Sequence, residues 1–234
     1  MAFHYSPKIV TDGLVLYLDA ANTKSYPRVG TTWSDISRGG NNGTLVNGPT
    51  FNSANGGSIT FDGIDDYVST PIRNLDRPCT FSTWFNFSSL TANNGYNSFF
   101  GQNSSVFFPL ARFYFLKNGA SNRVQFNFIK PDGSQLSTNA LATIQTNRWY
   151  NYVAVLTTTS ISLYENSILQ ATTSNSDPFI TPSGNIILNA GYYSNTLVDR
   201  WPGVSPLFSI YNRALSQQEV LQNYNATKSR FGLL

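Results

Sequence analysis

The stretch Gly56–Val68 (GGSITFDGIDDYV) carries the clearest structural signal in the chain. Ile59 and Phe61 alternate with polar residues, which is the period-two pattern of a half-buried strand. The Asp62-Gly63 pair after them predicts a tight turn, because glycine adopts a positive φ without steric cost. The stretch therefore predicts a strand, an acidic turn and a second short strand.

The turn concentrates three carboxylates, those of Asp62, Asp65 and Asp66, in a chain with only 12 acidic residues. One interpretation is turn chemistry at the edge of a sheet. The other is part of a calcium site with Asp62 and Asp65 as candidate ligands, since hard cations bind carboxylate and carbonyl oxygens. Asp65 and Asp66 are adjacent, so on an extended strand they would face opposite sides.

The composition suits one large β domain with a neutral polar surface. Of 234 residues, 41% are hydrophobic and 15% aromatic, which is ample for a core, whereas only 12% are charged. The basic residues are scattered, so neither nucleic-acid binding nor an anionic membrane patch is predicted. No apolar stretch has the length of about 18 residues that membrane insertion requires.

Other residue counts restrict the chemistry and the expected compartment. Cys79 is the single cysteine and His4 the single histidine, which excludes an intrachain disulfide and a His/Cys zinc site. The N-terminus (MAFHYSPKIV) lacks the basic start and apolar block of a signal peptide. We therefore expect synthesis in a cytoplasm.

Strand-like segments and turn signals continue along the chain, with almost no helical periodicity, and predict an all-β jelly-roll β-sandwich. One short C-terminal helix is predicted over Ser216–Ala226, because Ser216 is a good N-cap and Glu219 completes a capping box. We expect this helix to close an edge or end of the sandwich. The predicted organisation is an N-terminal arm over residues 1–12 and a single domain over residues 13–234.

Several segments resemble, in chain order, the laminin-G-like domains of the concanavalin A-like lectin/glucanase superfamily. Besides GGSITFDGIDDYV, they are Gly13–Asn22 (GLVLYLDAAN), Arg148–Leu156 (RWYNYVAVL), Ile161–Leu169 (ISLYENSIL) and Gly203–Leu221 (GVSPLFSIYNRALSQQEVL). The resemblance implies a concanavalin A-like sandwich. It also implies that Asp35 and Ser37 tie the loop after Trp33 together by local hydrogen bonds.

The opening and closing segments, together with Asn223–Gly232 (NYNATKSRFG), are most similar to laminin-G-like proteins of tailed phages. This resemblance implies a viral structural protein on the virion surface: a capsid decoration, head-fibre or tail-associated protein. Its expected partners are other virion proteins, a second copy of itself in a homo-oligomer, and host cell-surface glycans. A free-standing carbohydrate-binding lectin is the alternative hypothesis.

Enzymatic activity is not predicted, and a glycoside hydrolase ranks last among the hypotheses. Retaining glycosidases need two carboxyl groups about 5 Å apart. Laminarinase-type relatives carry them as E-x-D-x-x-E, and nothing of that form occurs here; Glu165 and Glu219 are the only glutamates. Cys79 precedes a strand and is interpreted as a small buried hydrophobe.

Sugar recognition needs aromatic faces beside amide or carboxylate groups. Trp84 and Trp149 lie in predicted strands and are assigned to the core, whereas Trp33 and Trp201 lie in loops. The best candidate loop is 191–202 (GYYSNTLVDRWP), although an ordinary connection carrying packed aromatics is an equal interpretation. Its candidate carbohydrate-binding residues are Tyr192, Tyr193, Asn195, Asp199, Arg200 and Trp201.

The family resemblance also bears on the metal. Laminin-G-like relatives often bind one Ca²⁺ through an Asp and backbone carbonyls, and their closing strand commonly reads G-x-I-D-x-V. Here Pro206 stands where that acid is usual, which argues against a metal site of the family type. Asp62 and Asp65 remain the candidate Ca²⁺ ligands.

Overall fold

The computed structural model describes residues 8–73, 75, 77–90, 96–102, 113–118, 121–129, 134–175, 184–193 and 196–233. Along the chain the strands are β1 (Leu14–Asp19), β2 (Thr32–Trp33), β3 (Gly43–Val46), β4 (Thr50–Asn52), β5 (Ser58–Asp62), β6 (Tyr67–Ser69), β7 (Cys79–Phe87), β8 (Tyr96–Gln102), β9 (Phe113–Asn118), β10 (Arg123–Ile129), β11 (Gln135–Thr143), β12 (Tyr150–Leu156), β13 (Ser160–Glu165), β14 (Ile168–Ser174), β15 (Ile186–Leu188), β16 (Gly191–Tyr193), β17 (Thr196–Val198) and β18 (Pro202–Tyr211). Helix α1 (Gln217–Thr227) follows β18, and 3₁₀ turns lie at Ala54–Gly56 and Lys228–Phe231.

Sixteen of the eighteen described strands form two antiparallel eight-stranded sheets that pack face to face, and β16 and β17 form a separate two-stranded sheet. Sheet A has the order β14-β13-β12-β7-β18-β5-β4, and sheet B the order β11-β10-β9-β8-β15-β6-β3-β2. Strand β1 also belongs to sheet A: it pairs with the second half of β18, whereas β5 pairs with the first half. The predicted all-β sandwich is confirmed.

The stretch at 56–68 forms the two predicted strands, but they do not pair with each other. Ile59 and Phe61 of β5 are buried in sheet A, and Val68 of β6 is buried in sheet B. The acidic turn between them therefore carries the chain from one sheet to the other instead of closing a hairpin. Both strands direct apolar side chains into the same interior, which fixes this crossing.

Strand β7 shows how the sequence defines the two faces of sheet A. Phe81, Phe85 and Phe87 point into the interior between the sheets and are fully buried. Trp84 and Asn86, at the alternate positions, face outward because successive strand side chains point to opposite sides. Sheet A therefore has an outer face with aromatic and amide side chains of its own.

Helix α1 begins as predicted. The Ser216 side chain accepts a hydrogen bond from the Glu219 backbone N–H at 3.3 Å, and the Ser216 N–H donates to Glu219 Oε2 at 2.8 Å. This capping box satisfies two backbone donors at the helix start. The helix does not close an edge or end of the sandwich, however. Val220 packs with Val153 and Val155 on the outer face of sheet A, because these β12 residues form an apolar strip there.

The described end of the N-terminal arm lies against this helix. The Val10 N–H donates to Asn223 Oδ1 at 2.8 Å, and the Gln222 side chain donates to the Lys8 carbonyl at 2.7 Å. The Tyr211 hydroxyl donates to the Val10 carbonyl at 3.0 Å. Residues 1–7 of the predicted arm lie outside the described residues.

The loop after Trp33 is tied together as expected. Asp35 Oδ1 accepts hydrogen bonds from the backbone N–H groups of Tyr17 at 2.9 Å and Ser37 at 2.8 Å. Asp35 Oδ2 accepts from the Ser37 hydroxyl at 2.8 Å and from the Asn41 N–H at 2.9 Å. One carboxylate therefore fixes the loop and joins it to β1.

We expect Glu219→Gln to lower the free energy of unfolding at pH 7 by about 0.5–1 kcal/mol, because it removes the charge that pairs with Arg213 while the amide can still accept from the Ser216 N–H. The Arg213 guanidinium contacts both Glu219 carboxylate oxygens, at 2.6 and 3.0 Å, and lowers the pKa of Glu219 to about 2. A lowered pKa contributes stability above the unfolded-state pKa that is lost as the pH falls. Urea unfolding from pH 7 to 3 should show the difference shrinking on acidification. A difference independent of pH would contradict this role for the charge.

Candidate functional site

The loop predicted to bind sugar is only partly described. Tyr192 and Tyr193 lie in β16, which pairs with β17, but their side chains lie outside the described part of the structure, as does all of Asn195. Asp199 and Arg200 are half-buried, and Trp201 has no exposed surface. Binding of carbohydrate at the first three residues stays a prediction.

The candidate role of Trp201 as an exposed platform was wrong. Its indole fills the space between the sheets, with ring centroids 4.6 Å from Phe87, 5.7 Å from Phe99 and 6.0 Å from Phe61. Its Nε1–H donates to the Ser98 carbonyl at 3.1 Å, so the polar end of the ring is satisfied inside the protein. A residue placed in this way anchors the loop to the core and cannot stack on a ligand.

Asp199 and Arg200 attach the same loop to β8. The Asp199 carbonyl accepts a hydrogen bond from the Ser98 N–H at 2.7 Å, and the Arg200 carbonyl accepts from Asn97 Nδ2 at 3.2 Å. Burial raises the pKa of Asp199 to about 6. The backbone at Asp199 is left-handed, with φ of 60°, a conformation that Asn adopts readily.

We expect Asp199→Asn to stabilise the protein at pH 8 by about 1–2 kcal/mol, because the buried charge is removed and the backbone conformation is tolerated. An acid with a raised pKa contributes stability below its unfolded-state value, which is lost as the pH rises through its folded-state value. The difference between variant and wild type should therefore grow from pH 4 to pH 7. Thermal unfolding at four pH values measures it, and a constant difference would contradict burial as the cause.

The acidic turn brings its three carboxylates together. Ligand oxygens of Asp62, Asp65 and Asp66 lie within 4.8 Å of one another, with Asp66 buried and the other two exposed. The expectation that Asp65 and Asp66 face opposite sides was wrong, because both precede β6 and lie in the turn, where strand alternation does not hold. Burial raises the pKa of Asp66, against the lowering effect of its hydrogen bond from the Asp62 N–H.

Part of this cluster is already used by the turn. Asp62 Oδ1 accepts from the Ile64 N–H at 2.7 Å, and Asp66 Oδ2 accepts from the Asp62 N–H at 2.9 Å. The remaining carboxylate oxygens are hard donors of the kind that Ca²⁺ binds. The donor set therefore fits calcium chemically, with Asp66 added to the predicted pair, and calcium binding stays a prediction.

We expect Asp65→Asn to raise the melting temperature by about 1–3 °C in chelator at low ionic strength, because it relieves repulsion among three close carboxylates. The gain should shrink at high salt as the repulsion is screened.

Adding calcium in the same assay tests the metal prediction. An increase in the melting temperature of the wild type that is smaller for the variant would support it. An equal response of both proteins would contradict calcium binding at this turn.

A concave region that the sequence did not predict lies on the outer face of sheet A. It has a volume of about 230 Å³, and we call it the amide cleft, defined by Asn52, Asn55, Asn86, Ser88, Asn147 and Trp149. Four sequence segments meet there: β4 with the 3₁₀ turn after it, the end of β7, the loop before β12, and the start of β18. Trp149, assigned to the core from sequence, is only partly buried because it precedes β12 and lies outside the sandwich. The only sequence signal that could have placed Asn86 on this outer face is strand alternation, since Asn86 lies two residues after Trp84 on β7.

A family model described as the concanavalin A-like lectin/glucanases superfamily (Laminin_G_3) matches residues 62–221, more than half of the chain. The chain belongs to this superfamily. The predicted laminin-G-like resemblance is confirmed, and the match begins at Asp62 in the acidic turn and ends at Leu221 in α1. A search of curated proteins found no match.

Solved structures of other proteins share the fold at low sequence identity. Domain 4 of AbnA, a GH43 extracellular arabinanase from Geobacillus stearothermophilus solved in complex with arabinotriose, has a TM-score of 0.69 and 15% identity, covering 90% of this chain and 98% of that one. The binding domain of Paraclostridial Mosquitocidal Protein 1 has a TM-score of 0.70 and 15% identity over 92% of this chain. The botulinum neurotoxin serotype D ligand-binding domain, in complex with N-acetylneuraminic acid, has a TM-score of 0.69 and 15% identity over 92% of this chain. The chain spans about half of these toxin domains, 52% and 51%.

These similarities establish a lectin-like fold and leave the ligand of this superfamily member open. Among the described residues, no helix has the length and apolarity needed to cross a membrane.

Proposed function

We propose that this protein is a non-enzymatic adhesion protein of a phage particle, which uses its lectin-like domain to bind glycans on the host surface. It acts as a capsid decoration, head-fibre or tail-associated protein and assembles with other virion proteins. The observation that carries the glycan-binding part is a superfamily fold whose polar surface is built from neutral amide and hydroxyl groups, with charged residues at 12% of the chain.

Neutral polar surfaces suit saccharides, because sugar hydroxyls both donate and accept hydrogen bonds and carry no charge. Asn side chains offer the same pair of functions in one planar group. Structures with a similar fold have been solved with arabinotriose and with N-acetylneuraminic acid. This supports a glycan ligand for the present chain without identifying the glycan.

The placement of the carboxylates supports a binding role over hydrolysis. Glu165 accepts a hydrogen bond from the Tyr152 hydroxyl, and Glu219 is held by Arg213 in the helix cap. Asp19 forms an ion pair with Arg230 at 3.0 Å. These acids serve the fold. Glycoside hydrolysis needs one protonated and one ionised carboxyl group on either side of a sugar bond.

The virion part of the proposal is supported by the resemblance of the opening and closing segments to laminin-G-like proteins of tailed phages. In the fold these segments are neighbours: β1 pairs with β18, and Arg230 forms an ion pair with Asp19. A low surface charge also suits a long-lived assembly, since its contacts depend little on salt.

We expect the purified protein to bind at least one immobilised glycan on an array, and to retain that binding between about 0.05 and 0.5 M salt. The same preparation should leave the bound oligosaccharide intact by mass spectrometry, and cleavage would overturn the non-enzymatic assignment. Proteomics of purified particles tests the virion part. Absence from particles together with glycan binding would favour a free-standing lectin.

A further inference from the structure

We propose that the amide cleft is the saccharide site of this protein, and that it takes a neutral sugar residue in preference to an acidic one. This inference rests on the proposed glycan-binding function and adds the location of the site and the class of ligand. It also moves the site from loop 191–202, whose tryptophan is buried, to the outer face of sheet A.

The amide cleft lies next to the part of sheet A that the C-terminal segment covers. Trp84 is covered from outside: its ring lies 4.3 Å from that of Phe231, and its Nε1–H donates to Thr227 Oγ1 at 3.0 Å. Asn86 is two residues further along β7 on the same face and is only partly buried. The C-terminal segment thus covers Trp84 and leaves the end of β7 open.

Strand β18 runs very close to β7 at the floor of the cleft. Gly203 lies opposite Phe87, and a Cβ at this position would come within 2.4 Å of the Asn86 carbonyl oxygen. The register of β18 against β7 then shifts between Val204 and Leu207, a bulge that re-aims the following side chains. A concave surface results where a regular sheet would be flat.

Trp149 supplies an aromatic surface at the rim. One part of the ring packs on Phe231, with centroids 4.6 Å apart, and the remainder is exposed. The loop before it is fixed by a hydrogen bond of 2.8 Å from the Asn147 N–H to the Phe87 carbonyl. Because the ring is already held by these contacts, a ligand stacking on it meets a pre-formed surface and loses little affinity to ordering.

The cleft offers unused hydrogen-bonding groups of both kinds. In the part of the chain that the structure describes, the side chains of Asn86, Ser88 and Asn147 make no hydrogen bond to protein. Asn52 uses its Oδ1 for the Ala54 N–H, and Asn55 uses its Nδ2 for the Arg230 carbonyl, so each keeps its other amide atom. Convergent amides beside one aromatic ring match the alternating hydroxyl and C–H surfaces of a sugar.

Charge decides the class of sugar. None of the residues that define the amide cleft is charged. The nearby Arg230 donates to Asp19 Oδ1 and to the Gly57 carbonyl. The Arg148 guanidinium lies over the Tyr150 ring, 5.8 Å from its centroid. A sialic acid carboxylate would enter without a cationic partner, which is costly.

The volume of the amide cleft limits the size of the ligand. At about 230 Å³ it is below the usual range for drug-sized ligands, about 300–1,000 Å³, and suits a single sugar residue.

The test compares wild type with Asn86→Ala, Trp149→Ala and the control Asn139→Ala on an array of neutral and sialylated glycans. The Asn86 side chain makes no hydrogen bond to protein among the described residues, so its truncation should leave the fold intact. Asn139 is an exposed amide on β11 of the other sheet. We expect both cleft variants to lose at least about tenfold in affinity for a neutral glycan, the size of one or two lost contacts, and the control to change less than about twofold.

A fluorescence titration gives a second readout in solution. Trp33, Trp84 and Trp201 are buried, so quenching by a soluble quencher reports mainly on Trp149, and bound sugar should protect it. Trp149→Phe should keep sugar binding but lose this protection signal. Thermal unfolding of each variant shows whether Trp149→Ala affects the fold through its Phe231 contact. If Trp149→Ala unfolds at a lower temperature, the location of the site is judged from two other variants: from the affinity of Asn86→Ala and from the loss of the protection signal in Trp149→Phe.

The outcomes separate this inference from the proposed function. Glycan binding that survives in both cleft variants would overturn the cleft as the site while leaving glycan binding in place. Binding restricted to sialylated glycans would overturn the neutral ligand class. No glycan binding by the wild type would overturn the proposed function itself.

Discussion

The two sheets are held together by a cluster of aromatic rings that the rest of the structure depends on. The ring of Phe85 stacks on that of Phe99 at 4.2 Å, and Trp201 packs against Phe87 at 4.6 Å between the sheets. Fully buried rings of this size contribute more to stability than any exposed ion pair in the chain. This cluster explains how a domain with few charges holds two eight-stranded sheets in one sandwich.

The same constraint organises the outer face of sheet A. Because alternate residues of β7 must fill the interior, Trp84 and Asn86 are forced outward. Trp84 is then covered by the C-terminal segment through Phe231 and Thr227. Asn86 lies past that cover. The helix, the 3₁₀ turn at 228–231 and the amide cleft are thus consequences of one alternating strand.

Local patterns were predictable where a few neighbouring residues decide the structure. The alternation of Ile59 and Phe61 predicted β5, and Ser216 with Glu219 predicted the start of α1, because capping depends on atoms three residues apart. The roles of the tryptophans were not predictable in this way. Trp201 lies in a loop yet is buried, and Trp149 adjoins a strand yet is partly exposed, since each is placed by residues distant in sequence.

The sequence by itself determined the all-β class, most of the strands, the C-terminal helix and its capping box, the superfamily, and the acidic turn between β5 and β6. It did not predict β2, β11, β16 or β17. The predicted features follow from periodicity and from contacts within a few residues. Only the tertiary structure decided that β5 and β6 belong to opposite sheets, that α1 covers a face instead of an edge, and that four separate segments meet in the amide cleft. Such features depend on which distant strands become neighbours, and that choice is made by the shared burial of aromatic side chains across the whole chain.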